Sequence, residues 1–261
     1  MVKIISTHSF RGGTGKSNMT ANLAALLAEA GHRVGVIDTD IQSPGIHVVF
    51  GFDQAHARYS LNHYLWGRCQ IEQAAYDITE SCISRVDDGN NQGRIFLIPS
   101  SLSSGEIARI LREGYDVGLL NDGLHELVTR LRLDYLLIDT HPGVNEETLL
   151  SIALSDVLIL ILRPDSQDLQ GTAVTVELAR RLEVPELLVV INKVPDGIDV
   201  NRISKHVETA YDAEVVSVLP LSVEMSRLGS GGLFVNRFPK HPFTIELQAL
   251  MRRVVQTPFG V

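Results

Sequence analysis

A glycine-rich segment near the start of the chain limits the possible folds more than any other feature. Residues 10–17 read Phe-Arg-Gly-Gly-Thr-Gly-Lys-Ser, and such glycines let several backbone N–H groups converge on one anion. A predicted strand at 3–9 leads into this loop, and apolar residues recur at helical spacing after it until Gly31. A strand, a glycine-rich turn and a helix in this order predict a phosphate-binding α/β fold.

The loop residues have distinct expected roles in holding a nucleoside triphosphate. We expect Lys16 to reach the β- and γ-phosphates and Ser17 to place its hydroxyl on a Mg²⁺ ion. The rest of the loop is predicted to surround the phosphates, mainly with backbone N–H groups, through Gly12, Gly13, Thr14, Gly15 and Asn18. The alternative, a glycine-rich turn with a chance lysine, is disfavoured by the flanking strand and helix.

The loop departs from the usual phosphate-loop pattern, because Phe10 stands where that pattern begins with glycine. It resembles the deviant Walker A loop of the MinD/ParA family of ATPases, Lys-Gly-Gly-x-Gly-Lys-Ser/Thr. The resemblance implies an ATP-dependent homodimer in which Arg11, at the position of the signature lysine, crosses the interface to the partner's nucleotide. Arginine keeps the positive charge and adds a planar fork suited to phosphate oxygens.

Two acids follow the next predicted strand, 33–38, at the end where ligands sit in open α/β sheets. The segment Asp38-Thr-Asp40 resembles the family's switch I. That resemblance implies that Asp38 lies in the outer shell of the metal and that Asp40 orients the attacking water. Phosphoryl transfer requires a protein mainly to position groups and to neutralise charge. The alternative is that both acids merely cap the strand.

A third segment, 136–143, resembles the Walker B strand with switch II. The resemblance implies that Asp139 holds Mg²⁺ through water and that Gly143 lets the backbone approach the γ-phosphate. The family usually reads Asp-x-Pro-x-Gly, whereas this chain has His141 at the proline position and Pro142 one place later. Because phosphoryl transfer needs little help from a general base, a structural or nucleotide-adjacent role for His141 is favoured over a catalytic one.

Two further positions indicate which base is bound. Asn192 ends an apolar strand, and its amide can both donate to and accept from a purine edge, although an ordinary strand-end cap is the alternative. Pro220 and Leu221 follow the next strand, where the related ATPases cradle adenine with backbone groups. An aspartate two residues after Lys193 would indicate guanine, and this chain has Pro195 there. ATP is therefore the predicted nucleotide.

Composition agrees with one large core. The chain has 261 residues, of which 44% are hydrophobic, and strand and helix patterns alternate throughout. These observations predict one domain over 1–261, with a doubly wound, mostly parallel sheet and helices on both faces. The apolar run 157–162 is too short to cross a bilayer and is expected to be a central strand. A short helix is predicted at 61–66, a polar turn at 86–93 and a strand at 94–99.

The cysteines and the start of the chain indicate a cytosolic protein. Cys69 and Cys82 have no metal-binding spacing, which favours reduced thiols over a zinc site or disulfide. The chain begins directly with the first predicted strand and shows no signal-peptide pattern. The cluster-carrying branches of the resemblance need paired cysteines, which these two residues do not offer.

The C-terminal region helps to distinguish binding to DNA from binding to a membrane. An apolar helical stripe at 243–254 fits a final core helix better than a membrane helix, and Pro258 follows it. Residues 202–261 carry seven basic and five acidic residues, a net +2, whereas the whole chain carries −8. A local basic patch on an acidic body is typical of non-specific DNA binding. Its predicted residues are Arg237, Lys240, Arg252 and Arg253; solvated surface arginines are the alternative.

The resemblance covers nearly the whole chain. It implies a slow, Mg²⁺-dependent ATP hydrolase that binds ATP and ADP and is stimulated by an adaptor protein. We expect a cytoplasmic, nucleoid-associated protein that positions a plasmid, chromosome or carboxysome. The alternatives are a membrane-associated relative that acts in division-site placement and a nucleotide-dependent switch with little hydrolysis.

Overall fold

The computed structural model describes residues 2–83 and 93–258. The polar turn expected at 86–93 therefore lies, apart from Gly93, outside the described residues. The strands in chain order are β1 (Lys3–His8), β2 (Arg33–Asp38), β3 (Tyr76–Asp77), β4 (Arg94–Ile98), β5 (Tyr135–Asp139), β6 (Val157–Leu162), β7 (Glu186–Val194) and β8 (Glu214–Pro220).

The helices alternate with these strands along most of the chain. They are α1 (Lys16–Glu29), α2 (Ile46–Val49), α3 (Leu61–Leu65), α4 (Thr79–Cys82), α5 (Ser104–Glu113), α6 (Val117–Leu131), α7 (Glu146–Ala153), α8 (Ser166–Arg181), α9 (Val200–Tyr211), α10 (Val223–Leu228), α11 (Phe234–Arg237) and α12 (Pro242–Gln256). None of the helices in the described ranges combines the length and apolar character needed to span a lipid bilayer.

The eight strands form one sheet in the order β3-β4-β2-β5-β1-β6-β7-β8. All neighbours are parallel except β3, which pairs antiparallel with β4 at the edge. The predicted doubly wound, mostly parallel fold is confirmed. Thr7 of β1 and Asp38 of β2 both lie opposite Asp139 of β5, so the carboxyl ends of three central strands meet at one edge of the sheet.

Helices cover both faces of the sheet, which explains why its central strands are continuously apolar. Every residue of β6 is buried, as predicted for a central strand. Alternate side chains point to opposite faces. On one face Ile5 and Leu137 pack in a core with α1 and α12, and on the other face Ile4 and Leu136 pack with α3 and α6. A third apolar cluster joins β6 and β7 to α8 and α9.

The C-terminal helix α12 is part of this core. Its apolar stripe is buried at Phe243, Leu247, Leu250 and Val254, and it packs beside α1. His241 caps its first turn through a hydrogen bond from the Phe243 N–H, and Pro242 occupies the first helical position, where proline is well tolerated. The expected core docking of the stripe at 243–254 is confirmed.

Smaller predictions are confirmed to within a residue. The short helix expected at 61–66 is α3, and the strand expected at 94–99 is β4. The two-residue edge strand β3 had no sequence signal, because it is too short to show a period of two.

Candidate nucleotide-binding site

The glycine-rich loop between β1 and α1 has the backbone geometry that its sequence predicts. Gly13 and Gly15 adopt left-handed backbone conformations with φ of 75° and 102°, which residues other than glycine rarely adopt. A Cβ atom at Gly15 would lie 2.6 Å from Asn192 Nδ2. Both constraints require glycine at this position. Helix α1 begins directly after the loop, so the N–H groups of the loop lie at the helix N-terminus.

Lys16 is the buried cation of this loop. Its side chain is almost inaccessible, and Nζ donates a 3.2 Å hydrogen bond to Ser9 Oγ, which itself donates to the Arg11 carbonyl at 2.7 Å. Burial lowers the pKa of Lys16, and three nearby carboxylates oppose that shift, those of Asp139, Asp40 and Asp38. The four charged groups predicted from three separate segments therefore lie close together.

Asp139 lies at the end of β5 and is fully buried. Burial raises its pKa to about 6, and a hydrogen bond from Ser17 and the charge of Lys16 oppose the shift. Within the described residues its Oδ1 atom has no hydrogen-bond partner. A buried carboxylate oxygen without a partner is costly, so this atom is poised to contact a cation or its water.

Asp38 is also fully buried, at the end of β2. Its Oδ1 accepts from the Asp40 N–H at 3.0 Å and its Oδ2 from the Gly45 N–H at 3.2 Å. Burial and the neighbouring carboxylates of Asp139 and Asp40 raise its pKa well above the usual range, while the two backbone hydrogen bonds oppose the shift. The backbone thus fixes the orientation of this carboxylate.

These charges fit a divalent cation. Three carboxylates share the region with the ammonium of Lys16, and buried like charges destabilise one another unless a cation compensates them. The described residues hold no group of three or more His, Cys, Asp or Glu arranged to bind a metal. Mg²⁺ typically uses one or two carboxylates and completes its shell with water and substrate phosphates.

The segment 140–143, which resembles switch II, packs against the phosphate loop. Gly143 has φ of 88°, and its N–H donates to the Ser9 carbonyl at 3.2 Å. A Cβ atom at Gly12 would lie 3.8 Å from Pro142 Cγ. The loop and switch II are therefore neighbours, as their predicted roles around one γ-phosphate require. Asp40 lies beside them and accepts a 2.7 Å hydrogen bond from His141 Nδ1.

Arg11 is held by the start of α8 in its own chain. Its NH1 donates to Gln167 Oε1 at 2.7 Å and lies 3.6 Å from Asp168 and 3.8 Å from Asp165. The side chain remains 41% exposed. Its predicted contact with a partner's nucleotide involves a second chain and stays a prediction.

Phe10 packs on the same helix. A Cβ atom at Gly171 of α8 would lie 2.0 Å from the Phe10 ring, so the absence of a side chain at Gly171 makes room for the aromatic ring. The residue that departs from the usual phosphate-loop pattern thus serves packing between the loop and α8.

A cavity of about 310 Å³ lies beside the loop, where the base was predicted to bind. Its lining includes Gly15, Asn18, Asn192, Pro220 and Leu221. The Asn192 amide donates to the Thr14 carbonyl at 2.7 Å and accepts from the Lys193 N–H at 2.8 Å. The structure thus brings the predicted base-binding residues together, and it also shows that Asn192 supports the loop.

Sequence reasoning missed two residues of this site. His8, immediately before the loop, is fully buried, and its Nδ1 contacts Thr140 Oγ1 at 2.8 Å. Burial, with the nearby Lys16 and His141, lowers its pKa to about 3. Lys193 adopts φ of 58° and donates to the Gly13 carbonyl at 2.7 Å. The position of His8 next to the loop was the available signal.

The predicted basic patch needs one correction. Arg253 donates to Glu186 Oε1 at 2.5 Å and to Glu214 Oε2 at 2.9 Å, so two carboxylates already neutralise its guanidinium. Arg237, Lys240 and Arg252 are exposed as expected. Arg253 is therefore a structural residue that joins α12 to β7 and β8.

The two cysteines pack on different faces of the sheet. Cys82 is buried with the α1 face, and Cys69 packs against the α6 face. Burial raises the pKa of the Cys82 thiol to about 11, which disfavours the thiolate needed for metal binding.

Comparison with known proteins agrees with this geometry. The chain is 25% identical over 256 residues to an uncharacterised ATP-binding protein of Methanocaldococcus jannaschii, covering 98% of this chain and 88% of that protein. It is 26% identical over 243 residues to an iron-sulfur cluster carrier protein of Pseudomonas fragi, covering 88% and 76% of the two chains.

The fold is similar to that of the septum site-determining protein MinD of Pyrococcus horikoshii, solved as a complex with Mg-ADP. The TM-score is 0.78 at 23% identity, covering 98% of this chain and 97% of that one. In addition, residues 5–235 match the family described as the CobQ/CobB/MinD/ParA nucleotide binding domain. The chain therefore belongs to this family of nucleotide-binding P-loop proteins.

Proposed function

We propose that this chain is a slow, Mg²⁺-dependent ATPase that dimerises around ATP and positions a cargo through an adaptor that stimulates hydrolysis. The convergence of Lys16 with Asp38, Asp40 and Asp139 carries the proposal. These residues come from three separate segments, and together they supply the groups that phosphoryl transfer requires. The cargo is a plasmid, a chromosome or a carboxysome.

Each residue has a defined task in this proposal. Lys16 holds the β- and γ-phosphates, and Asp40 orients the attacking water. Ser17 and Asp139 would hold Mg²⁺, with Asp38 in its outer shell, and the ion neutralises phosphate charge when bound. Asn192, Pro220 and Leu221 surround adenine in the adjacent cavity. The whole site lies at the carboxyl edge of the sheet, which is where ligands bind in open α/β folds.

Dimerisation is proposed because Arg11 is partly exposed at the phosphate loop. In the single chain its guanidinium faces carboxylates of α8, and the proposal requires it to contact the nucleotide of the partner subunit. A guanidinium fork can bind two phosphate oxygens at once. Dimers that form without hydrolysis would indicate the nucleotide switch instead.

We propose that the dimer binds nucleoid DNA. Arg237, Lys240 and Arg252 are exposed cations at the two ends of the α11–α12 segment. A dimer carries twice as many of these cations as one chain. Because the dimer is proposed to form only with ATP, DNA affinity would depend on ATP. Each neutralised phosphate contributes a slope of roughly −0.9 to a plot of log affinity against log salt.

The test is a co-sedimentation titration with non-specific duplex DNA and, in parallel, with anionic liposomes, each with ATP or ADP at two salt concentrations. We expect DNA binding only with ATP and weaker binding at high salt. Arg252→Glu should weaken it, whereas the matched control Arg130→Glu, on α6 at the opposite face of the sheet, should not. ATP-dependent liposome binding without DNA binding would replace the nucleoid proposal with the membrane one.

A further inference from the structure

A hydrogen bond connects switch II to the carboxylate proposed to orient water. His141 Nδ1 lies 2.7 Å from Asp40 Oδ1, and the two side chains are 24% and 16% exposed. Because an ionised carboxylate can only accept, the hydrogen in this bond belongs to the imidazole Nδ1. Proline, which is usual at position 141 in the family that the chain resembles, has no side-chain donor.

Both hydrogen bonds recorded for the Asp40 side chain within the described residues end on the same oxygen. Oδ1 accepts from His141 Nδ1 at 2.7 Å and from the Ser43 N–H at 3.0 Å. The terminal torsion of an aspartate side chain is otherwise broad. Two donors on Oδ1 therefore fix the carboxylate plane and leave Oδ2 as the oxygen that can accept a hydrogen from water.

The backbone that carries His141 is itself held in place. The preceding residue, Thr140, donates from Oγ1 to the Thr7 carbonyl at 2.9 Å. Since that donation uses its only hydroxyl hydrogen, Thr140 Oγ1 accepts from His8 Nδ1 at 2.8 Å. On the other side, Thr148 Oγ1 donates to the His141 carbonyl at 3.3 Å. β1 and α7 thus fix the position from which the imidazole reaches Asp40.

We propose that His141 is a positioning residue, which holds Asp40 so that Oδ2 faces the attacking water. The proposal rests on the water-orienting role of Asp40 in the proposed function. His141 donates its Nδ1 hydrogen to Asp40 throughout and takes no proton from water. A misplacement of about 1 Å in a catalytic group costs up to roughly 100-fold in rate, so loss of this hydrogen bond should lower turnover by about 10- to 100-fold.

Two substitutions separate the hydrogen bond from the bulk of the ring. His141→Asn keeps a side-chain N–H near the place of Nδ1 and should retain most of the turnover, whereas His141→Phe keeps a ring without a donor and should lose it. ATP affinity by calorimetry should remain unchanged in both. His125→Phe, at an exposed position of α6, is the matched control. Normal turnover in His141→Phe, or equal loss in His141→Asn, would overturn the proposal.

A second readout makes the test independent of the ATPase assay. Nitrogen NMR of labelled histidines in the nucleotide-free protein should show an Nδ1–H of His141 that shifts in Asp40→Ala. An unchanged His141 signal would overturn the contact itself, whereas a wild-type protein without hydrolysis would overturn the proposed function.

Discussion

Lys3 Nζ, at the start of β1, donates a 2.8 Å hydrogen bond to the carbonyl of Val254 in the last turn of α12. The same ammonium donates to the Thr257 carbonyl at 2.6 Å. Lys3 is fully buried, and the last carbonyls of a helix have no partner inside the helix. The first strand thus provides a cap for the final helix.

Replacing this cap should destabilise the fold. Lys3→Met removes the donor and leaves buried carbonyls unsatisfied, which typically costs about 1–3 kcal/mol of the free energy of unfolding. Urea denaturation followed by circular dichroism measures the change. Lys205→Met, at an exposed position of α9, should change stability by less than about 0.5 kcal/mol. Equal stability of Lys3→Met and the wild type would contradict the capping role.

Stability should respond to His8 in acid. The unfolded chain protonates this residue near pH 6.5, but burial holds its folded pKa at about 3. Between these values the unfolded state binds more protons, so the His8 contribution to stability is complete above pH 6.5 and is lost as pH falls. Asp139, whose pKa is raised to about 6, has the opposite effect. Its contribution to stability falls as pH rises from the ordinary pKa of an aspartate to about 6.

The difference between wild type and His8→Asn isolates the histidine, because Asn cannot titrate and can still donate to Thr140. On acidification below pH 6.5 the wild type should lose up to ~1.4 kcal/mol per pH unit more than the variant. Urea titrations at several pH values measure this difference. If the free energy of unfolding depends on pH in the same way in both proteins, protonation of His8 does not destabilise the fold, and the prediction is wrong.

ATP binding should depend on Lys16. Lys16→Ala removes charge-assisted hydrogen bonds worth about 1.5–3 kcal/mol each, so affinity for ATP should fall by at least about 100-fold. Isothermal calorimetry measures the affinity, and Lys205→Ala serves as a control for loss of a positive charge. Unchanged ATP affinity in Lys16→Ala would show that the glycine-rich loop does not bind the phosphates.

Arg11 is expected to act after ATP has bound. Arg11→Ala should bind ATP with nearly the wild-type affinity, since its guanidinium contacts α8 in the single chain, but it should lose ATP-dependent dimers and turnover. Arg11→Lys, which restores the residue usual at this position, should keep both. Light scattering and phosphate release are the measurements. Full turnover by Arg11→Ala would show that Arg11 is not required for ATP hydrolysis.

The order and chemistry of the motifs could be predicted from sequence, because each lies next to a strand with a clear apolar pattern. The apolar patterns predict Asp38 and Asp139 at strand ends, and the register of parallel β2 and β5 brings them together. The contacts that sequence reasoning missed join distant segments. His8 and Thr140 are 132 residues apart, and only the alignment of β1 with β5 makes them neighbours.

The predicted basic patch shows the same limit. Counting charges over 202–261 includes Arg253 and Glu214 but not Glu186, which binds the same guanidinium from the start of β7. A net charge over a segment therefore overstates the cations available to a ligand when their partners come from elsewhere. Likewise, Arg11 has its partners Asp165, Gln167 and Asp168 at the start of α8, more than 150 residues away.

The most direct test of the account is sedimentation velocity on Asp40→Ala with Mg-ATP and with Mg-ADP, together with its rate of phosphate release. Asp40 is proposed to place water and not to bind nucleotide, so the account predicts a stable dimer with ATP, a monomer with ADP and almost no release of phosphate. A protein that stays monomeric with ATP and hydrolyses it at the wild-type rate would contradict the account.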